Sequence, residues 1–213
     1  NPTIAPYAGT GEVKLRVTAS LPEGEDAEAL LQPAIKKILA AAGDYCYGID
    51  VPDLQTAVVQ SLRQKGLTVA SAESCTGGLV AARLTEVPGA SAVFGCGIVS
   101  YNNTVKAEVL GVDPAIIEQY TAVSAETAAA MAAAIRQKSG AAIGIGITGN
   151  AGPSASEGQP VGLVFVAVAS EKYSHVSRLF INRHDADARN LIRHFAALKA
   201  LSLILRAAGY YKE

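Results

Sequence analysis

The sequence predicts an α/β protein: a three-layer α/β/α sandwich with a mostly parallel mixed sheet, preceded by a small α+β unit. Three observations predict it. Beyond residue 53, helical and strand-like patterns alternate along the chain, the signature of a sheet flanked by helices. Two strand-like segments, 142–147 and 161–168, are continuous apolar runs, as in strands covered on both faces. The last two strand-like segments stand close enough in sequence to pair as a hairpin, which makes the sheet mixed.

Each element follows in order. In the run from Glu12 to Thr18, apolar Val13, Leu15 and Val17 alternate with polar neighbours, the period of a half-buried strand. Pro22 to Asp26 marks a turn. From Ala27 to Ala42 the apolar positions Leu30, Leu31, Ala34, Ile35, Ile38 and Leu39 recur at helical spacing, and Gly43 closes the helix. Tyr45 to Ile49 reads as a further short strand. This first unit, residues 1–50, is small for an independent core. With Asn1 in place of Met and an opening in mid-pattern, the chain reads as a piece of a longer one.

A second unit, 51–213, begins after Val51-Pro52. Asp53 is a good N-cap for a helix that places Leu54, Val58 and Leu62 on one face. There follow a strand at 67–71, a helix from about 76 to 85, a strand at 93–101, and short helices around 104–110 and 114–119. A helix at 124–138 and a strand at 141–147 come next, then a loop, strands at 161–169 and 175–181, and a final helix from about 185 to 208.

Composition narrows the function. Eighteen basic and nineteen acidic residues give a net charge of −1, which provides no electrostatic footprint for nucleic acid or an anionic membrane. No apolar stretch approaches the roughly 18 residues of a membrane span. Cys46, Cys75 and Cys96 form neither an even framework nor a CxxC pair, which fits free thiols in a reducing, cytoplasmic setting. A small-molecule partner is expected, with no nucleic acid, no membrane, no cofactor and no metal.

Three stretches carry candidate chemistry. Ala72-Glu73-Ser74-Cys75-Thr76-Gly77-Gly78 sits where a strand gives way to a helix. Unpaired amides at a helix N-terminus, with glycines that allow close approach, can hold an anion or an oxyanion. The plainer alternative is an N-cap and a packing turn. Ser100-Tyr101-Asn102-Asn103-Thr104-Val105-Lys106 follows the next strand, and strand ends of this kind bind ligands in open α/β sheets. Partial burial would lower the pKa of Lys106 and allow it to act as a base beside a serine, whereas a solvated lysine would do nothing. The third stretch, Gly144-Ile-Gly-Ile-Thr-Gly-Asn-Ala-Gly-Pro153 with Gln159-Pro-Val-Gly162, describes a shaped loop with exposed amides able to line a nucleotide pocket. Arg183 and Arg189 are the candidates for a ligand phosphate, unless they pair with Asp185 or Asp187. His175, His184 and His194 lie late in the chain without a carboxylate pattern that would orient a triad. Cys75 ranks behind Ser74 as nucleophile.

In their order along the chain, AESCTGG, SYNNTVKAEVLGV, the helix opened by Ala122-Val-Ser124, GITGNAGP and QPVG resemble the CinA family, in the domain shared with stand-alone PncC enzymes. The resemblance covers roughly residues 53–208. The opening NPTIAPYA and EVKLR resemble the KH-like segment that precedes this domain in full-length CinA proteins, so a nucleotide-pyrophosphatase-like N-terminal domain is expected ahead of this chain.

The resemblance implies a nicotinamide-nucleotide amidase of the pyridine nucleotide cycle, which converts nicotinamide mononucleotide to nicotinate mononucleotide and ammonia by a serine-lysine mechanism. It places the catalytic roles on Ser74, Lys106 and Tyr101. Substrate contacts then fall to Glu73, Thr76, Gly77, Gly78, Asn103, Thr148, Gly149, Ala151, Gly152, Arg183 and Arg189. Asn150, Gln159 and the Ile181-Asn182-Arg183 segment depart from the family's common pattern on the phosphate side. A homo-oligomer is expected, a dimer first.

Two other functions compete. One is a non-catalytic nucleotide-binding or regulatory module linked to competence or DNA damage. The other is ADP-ribose cleavage, which the family assigns to its N-terminal domain. RNA binding by the KH-like unit would need a clamping GxxG loop flanked by basic residues, and Gly9-Thr10-Gly11 is too short.

Overall fold

The computed structural model describes residues 1–183 and 185–209, so His184 of the sequence reading lies outside the described residues. The chain divides into two compact units, Asn1–Ile49 and the remainder from Asp50.

The first unit is a hairpin and a helix. β1 (Thr3–Ala8) pairs antiparallel with β2 (Val13–Thr18), and α1 (Ala27–Ala42) follows, its Asp26 N-cap accepting from the Glu28 amide at 2.9 Å. The sequence reading assigns no strand to residues 3–8, where Pro6 cannot donate to a ladder. In a two-stranded sheet each strand is an edge, and an edge tolerates proline. The short strand expected at Tyr45–Ile49 does not form. Gly43–Tyr45 is a 3-10 turn closed by the Cys46 amide on the Gly43 carbonyl, and the residues after it have no strand to pair with.

The second unit is the predicted sandwich. Its elements are α2 (Leu54–Lys65), β3 (Val69–Glu73), α3 (Leu79–Thr85), β4 (Phe94–Val99), a π-helical turn (Val105–Leu110), α4 (Pro114–Tyr120), α5 (Ala125–Ser139), β5 (Ile143–Gly149), β6 (Leu163–Ala169), β7 (Ser174–Phe180) and α6 (Ala188–Ala207). The sheet order is β4-β3-β5-β6-β7. β3 is parallel to both β4 and β5, and β6 is antiparallel to β5 and β7, so four strands run one way and β6 the other. Among the described residues no helix is long and apolar enough to cross a membrane.

Helix ends follow their sequence signals. The Asp53 carboxylate accepts from the Thr56 amide at 2.9 Å, and Gly66 closes α2 in the left-handed conformation. Ser124 caps α5 by accepting from the Thr127 amide at 3.1 Å. α3 starts three residues later than predicted because Gly77 and Gly78 take φ of 61° and 93°, outside helical space.

One face of the sheet is covered by α6 with α2 and α3, the other by α5 with α4 and the π-helical turn. On the α5 face, Ala70 and Ala72 of β3 pack with Met131, Ile135, Leu110 and Val112. The alanines of α5 are explained by the glycines of β5. A Cβ on Gly144 would fall 2.1 Å from the Ala132 carbonyl oxygen, and one on Gly146 would fall 2.3 Å from that of Ala128. Helix and strand meet backbone to backbone. Gly144 and Gly146 therefore serve packing, while the loop that the sequence offers for a ligand begins only after Gly149.

Candidate active site

The carboxyl ends of the three parallel strands converge, and each delivers one wall of a cavity, where ligands of open α/β sheets are found. β3 hands on to Ser74 and Cys75. The Ser74 amide extends the β3–β5 ladder by donating to the Ile147 carbonyl at 2.9 Å, and the Ser100 amide donates to the Glu73 carbonyl at 2.8 Å. The ends of β3, β4 and β5 are thus tied together.

Alternation along β3 sends Glu73 to the other side of the sheet from Ser74. There Glu73 is 1% exposed and caps α3 with its carboxylate. One oxygen accepts from the Gly78 and Val80 amides, both at 3.1 Å; the other accepts from the Ala81 amide at 2.9 Å and the Ser71 hydroxyl at 3.2 Å. The amide cradle that the sequence offers for a substrate anion is filled from within the chain. Gly77 is also committed, its amide donating to the Ser74 carbonyl at 3.0 Å. Thr76 is fully buried, and its carbonyl accepts from Arg193 at 3.0 Å. Glu73, Thr76, Gly77 and Gly78 therefore build the turn and do not line the cavity.

Lys106 arrives from the second wall. After β4 the Asn102 side chain accepts from the Val105 amide at 2.8 Å and opens the π-helical turn. Wide turns of this kind recur at functional sites because they displace a side chain from helical register. Lys106 is 1% exposed, yet its Nζ lies 3.5 Å from Ser74 Oγ and 3.5 Å from the Tyr101 carbonyl oxygen. Burial pushes the Lys106 amine below the ordinary lysine value of 10.5, opposed in part by the charge of Glu157 and by Cys75. Ser74 is 8% exposed. The pair is a hydroxyl facing an amine that gives up its proton more readily than usual.

Cys75 also faces the cavity, but burial, the largest cause, and the Glu73 charge push its thiol up to about 12. It stays protonated at neutral pH and is a poor nucleophile. Tyr101 is 60% exposed and its hydroxyl accepts from Arg189 at 3.1 Å. Its backbone carbonyl, not its hydroxyl, is the hydrogen-bond partner of Lys106.

The third wall is the loop after β5. Thr148 donates to the Ala122 carbonyl at 2.6 Å. Asn150 organises the loop: its amide nitrogen donates to the carbonyls of Ser154 and Gln159, both at 3.1 Å, and its side-chain oxygen accepts from the Gly152 amide at 2.9 Å. Arg189 donates to the Gly152 carbonyl. The cavity is half open to solvent and measures about 290 Å³, room for a small ligand. Of the residues expected there, Ser74, Lys106, Tyr101, Asn103, Thr148, Gly149, Ala151, Gly152 and Arg189 line it. Arg183 does not; it is held 2.6 Å from Asp185 at the surface. Sequence reasoning passed over Glu157, whose carboxylate also lines the cavity. The available signal was a single charge inside a loop otherwise rich in Gly, Pro and Ser.

The family model of the CinA C-terminal domain matches residues 52–208, and that of the damage-inducible protein CinA KH domain matches residues 1–48. A CinA-like protein of Kosmotoga olearia is 44% identical over 208 residues, covering 97% of this chain and 50% of its own length. One of Desulfovibrio desulfuricans is 48% identical over 170 residues, or 79% of this chain and 40% of its own. The chain spans about half the length of the curated relatives it matches. Among solved structures, the competence/damage inducible protein CihA of Agrobacterium tumefaciens superposes with a TM-score of 0.68 at 34% identity, covering 76% of this chain and 98% of that one. A CinA superfamily protein of Escherichia coli gives 0.66 at 28% identity, covering 76% of this chain and 98% of its own. Family models that account for both units, and relatives aligned over nearly the whole chain, place this protein in the CinA family.

Proposed function

We propose that the cavity hydrolyses a primary carboxamide by a serine-lysine mechanism, with nicotinamide mononucleotide as substrate. The observation that carries this reading is the buried Lys106 amine facing Ser74 at 3.5 Å. A carboxamide is a poor electrophile with a poor leaving group, so it demands an activated nucleophile, donors for the oxyanion and a proton for departing ammonia.

On this reading neutral Lys106 takes the Ser74 hydroxyl proton as Oγ bonds to the carboxamide carbon. The same proton passes from Nζ to the amide nitrogen as the C–N bond breaks, releasing ammonia and leaving an acyl-Ser74 ester. Lys106 then takes a proton from water as its oxygen attacks the ester, and returns it to Ser74 Oγ when the acid departs. The oxyanion would meet the amides of Cys75 and Thr76, which donate to no backbone carbonyl of the described residues and turn toward the Cys75 sulfur at the cavity wall. Asn103, Thr148, Gly149, Ala151 and Gly152 would enclose the nucleotide. Arg189, at the cavity wall with Tyr101 orienting its guanidinium, is the phosphate contact.

The test is ammonia release from nicotinamide mononucleotide by the parent, by Ser74→Ala and by Lys106→Ala, each checked for folding. Turnover in the parent that both variants lose supports the mechanism. Turnover surviving Ser74→Ala moves the nucleophile elsewhere, and a folded parent without turnover favours a ligand-binding module.

A further inference from the structure

The amidase mechanism uses Ser74 and Lys106 and leaves one charge in the cavity without a task. Glu157 sits in the loop between β5 and β6 with φ of 51°, a backbone value uncommon outside glycine. Its carboxylate is fixed from two other walls. One oxygen accepts from the Ala122 amide at 2.7 Å, and the other lies 3.5 Å from the Asn103 side-chain nitrogen. Its charge is felt at Lys106. The carboxylate is therefore held near the place where the amide must react.

Among the described residues, the charged groups lining the cavity are Lys106, Glu157 and Arg189. A lysine acting as base is neutral, which leaves one anion and one cation to meet the ligand. Their complement is a molecule with a positive centre close to its carboxamide and a negative group further off.

We propose that Glu157 is a specificity-determining residue that selects carboxamides on a cationic ring, an N-alkylated pyridinium above all, over neutral carboxamides of the same shape. The inference rests on the amidase reading for the position of the carboxamide, but it makes a separate claim about charge. The carboxylate attracts the ring cation, and the ring cation in turn withdraws electrons from the carbonyl that Ser74 attacks.

Two small probes of one shape isolate the charge: 1-methylnicotinamide, a cation, and 3-methylbenzamide, its neutral isostere. Affinities are measured by calorimetry for the parent, Glu157→Gln and Glu157→Asp, with thermal melting as the folding check. Gln keeps an acceptor for the Ala122 amide and removes the charge, its NH2 taking the place of the oxygen that lies 3.5 Å from the Asn103 side-chain nitrogen; Asp keeps the charge. The parent and Glu157→Asp should prefer the cation by about fivefold, the worth of a partly solvated charge pair. Glu157→Gln should bind both probes alike, with its affinity for 3-methylbenzamide unchanged. A preference that survives Glu157→Gln, equal weakening of both probes, or a parent that binds the cation no better than the isostere would overturn the assignment. Failure of the amidase reading would show instead as absent ammonia release, which these affinities do not depend on.

Discussion

Glu73→Gln decides between two roles for one carboxylate. In the structure Glu73 accepts four hydrogen bonds, three of them from the backbone amides that open α3. Glutamine keeps one oxygen and replaces the other with an NH2. In the better orientation the oxygen retains the Gly78 and Val80 amides and the NH2 turns to Ser71. The Ala81 amide then faces a donor and loses its acceptor. One buried unsatisfied N–H costs about 1–3 kcal/mol. Losing a negative charge at a helix N-terminus adds about 0.5–1 kcal/mol. The sum, about 1.5–4 kcal/mol, lowers the melting temperature of a chain this size by roughly 3–16 °C. Thermal melting reads the loss, and Michaelis kinetics on the folded variant read the rest, with KM for nicotinamide mononucleotide expected to stay near the parent value. A variant that melts with the parent but binds substrate poorly would refute the capping role and return Glu73 to the ligand.

Further outcomes follow from the site. Lys106→Met should lower turnover about 10³-fold, the worth of a positioned base, yet melt higher than the parent at neutral pH. The sign follows from linkage: the unfolded chain binds the Lys106 proton more tightly than the fold does, so parent stability rises as pH climbs from the folded value toward 10.5, and methionine removes that penalty. For the same reason parent kcat/KM should rise with pH and level off below the ordinary lysine value. Cys75→Ala should keep turnover within about threefold, because a thiol held near 12 supplies no thiolate; a loss of activity in the folded variant would make Cys75 the nucleophile. Arg189→Ala should raise KM for the mononucleotide about tenfold or more, as expected for a charge-assisted contact, and leave KM for the riboside unchanged. Arg183→Ala, which breaks only a surface pair, should change neither.

The sheet and its helices were legible because burial on both faces leaves continuous apolar runs, and because Asp53, Ser124 and Gly43 are strong end signals. The hairpin of β1 was hidden by Pro6, whose missing donor is harmless at an edge. The expected strand at Tyr45–Ile49 had a pattern but no partner, and pairing is a tertiary fact. In the site, Ser74 and Lys106 were legible as residue types, but 32 positions separate them. Their meeting depends on β4 lying beside β3 and on a π-helical turn, neither of which leaves a clear period in sequence. Glu73 misleads because it adjoins Ser74 along the chain while strand alternation puts the two on opposite faces. Glu157 was missed for the reverse reason: nothing in a loop of small residues announces which side chain folds back over the cavity.

The seating of α5 on Gly144 and Gly146 has a consequence for how such a pocket can diversify. At those two points the helix rests on the strand through main-chain atoms and Cβ carbons, with no rotatable side chain between them, so its distance from β5 is a fixed dimension. The Ser124 cap and the Ala122 carbonyl that holds Thr148 stand at the sheet end of that helix and inherit the same fixity. One jaw of the cavity is a datum surface. Adjustment to a larger or smaller ligand then falls to the opposing jaw, the β5–β6 loop strung on Asn150, where residues can be exchanged or inserted without shifting Ser74 or Lys106.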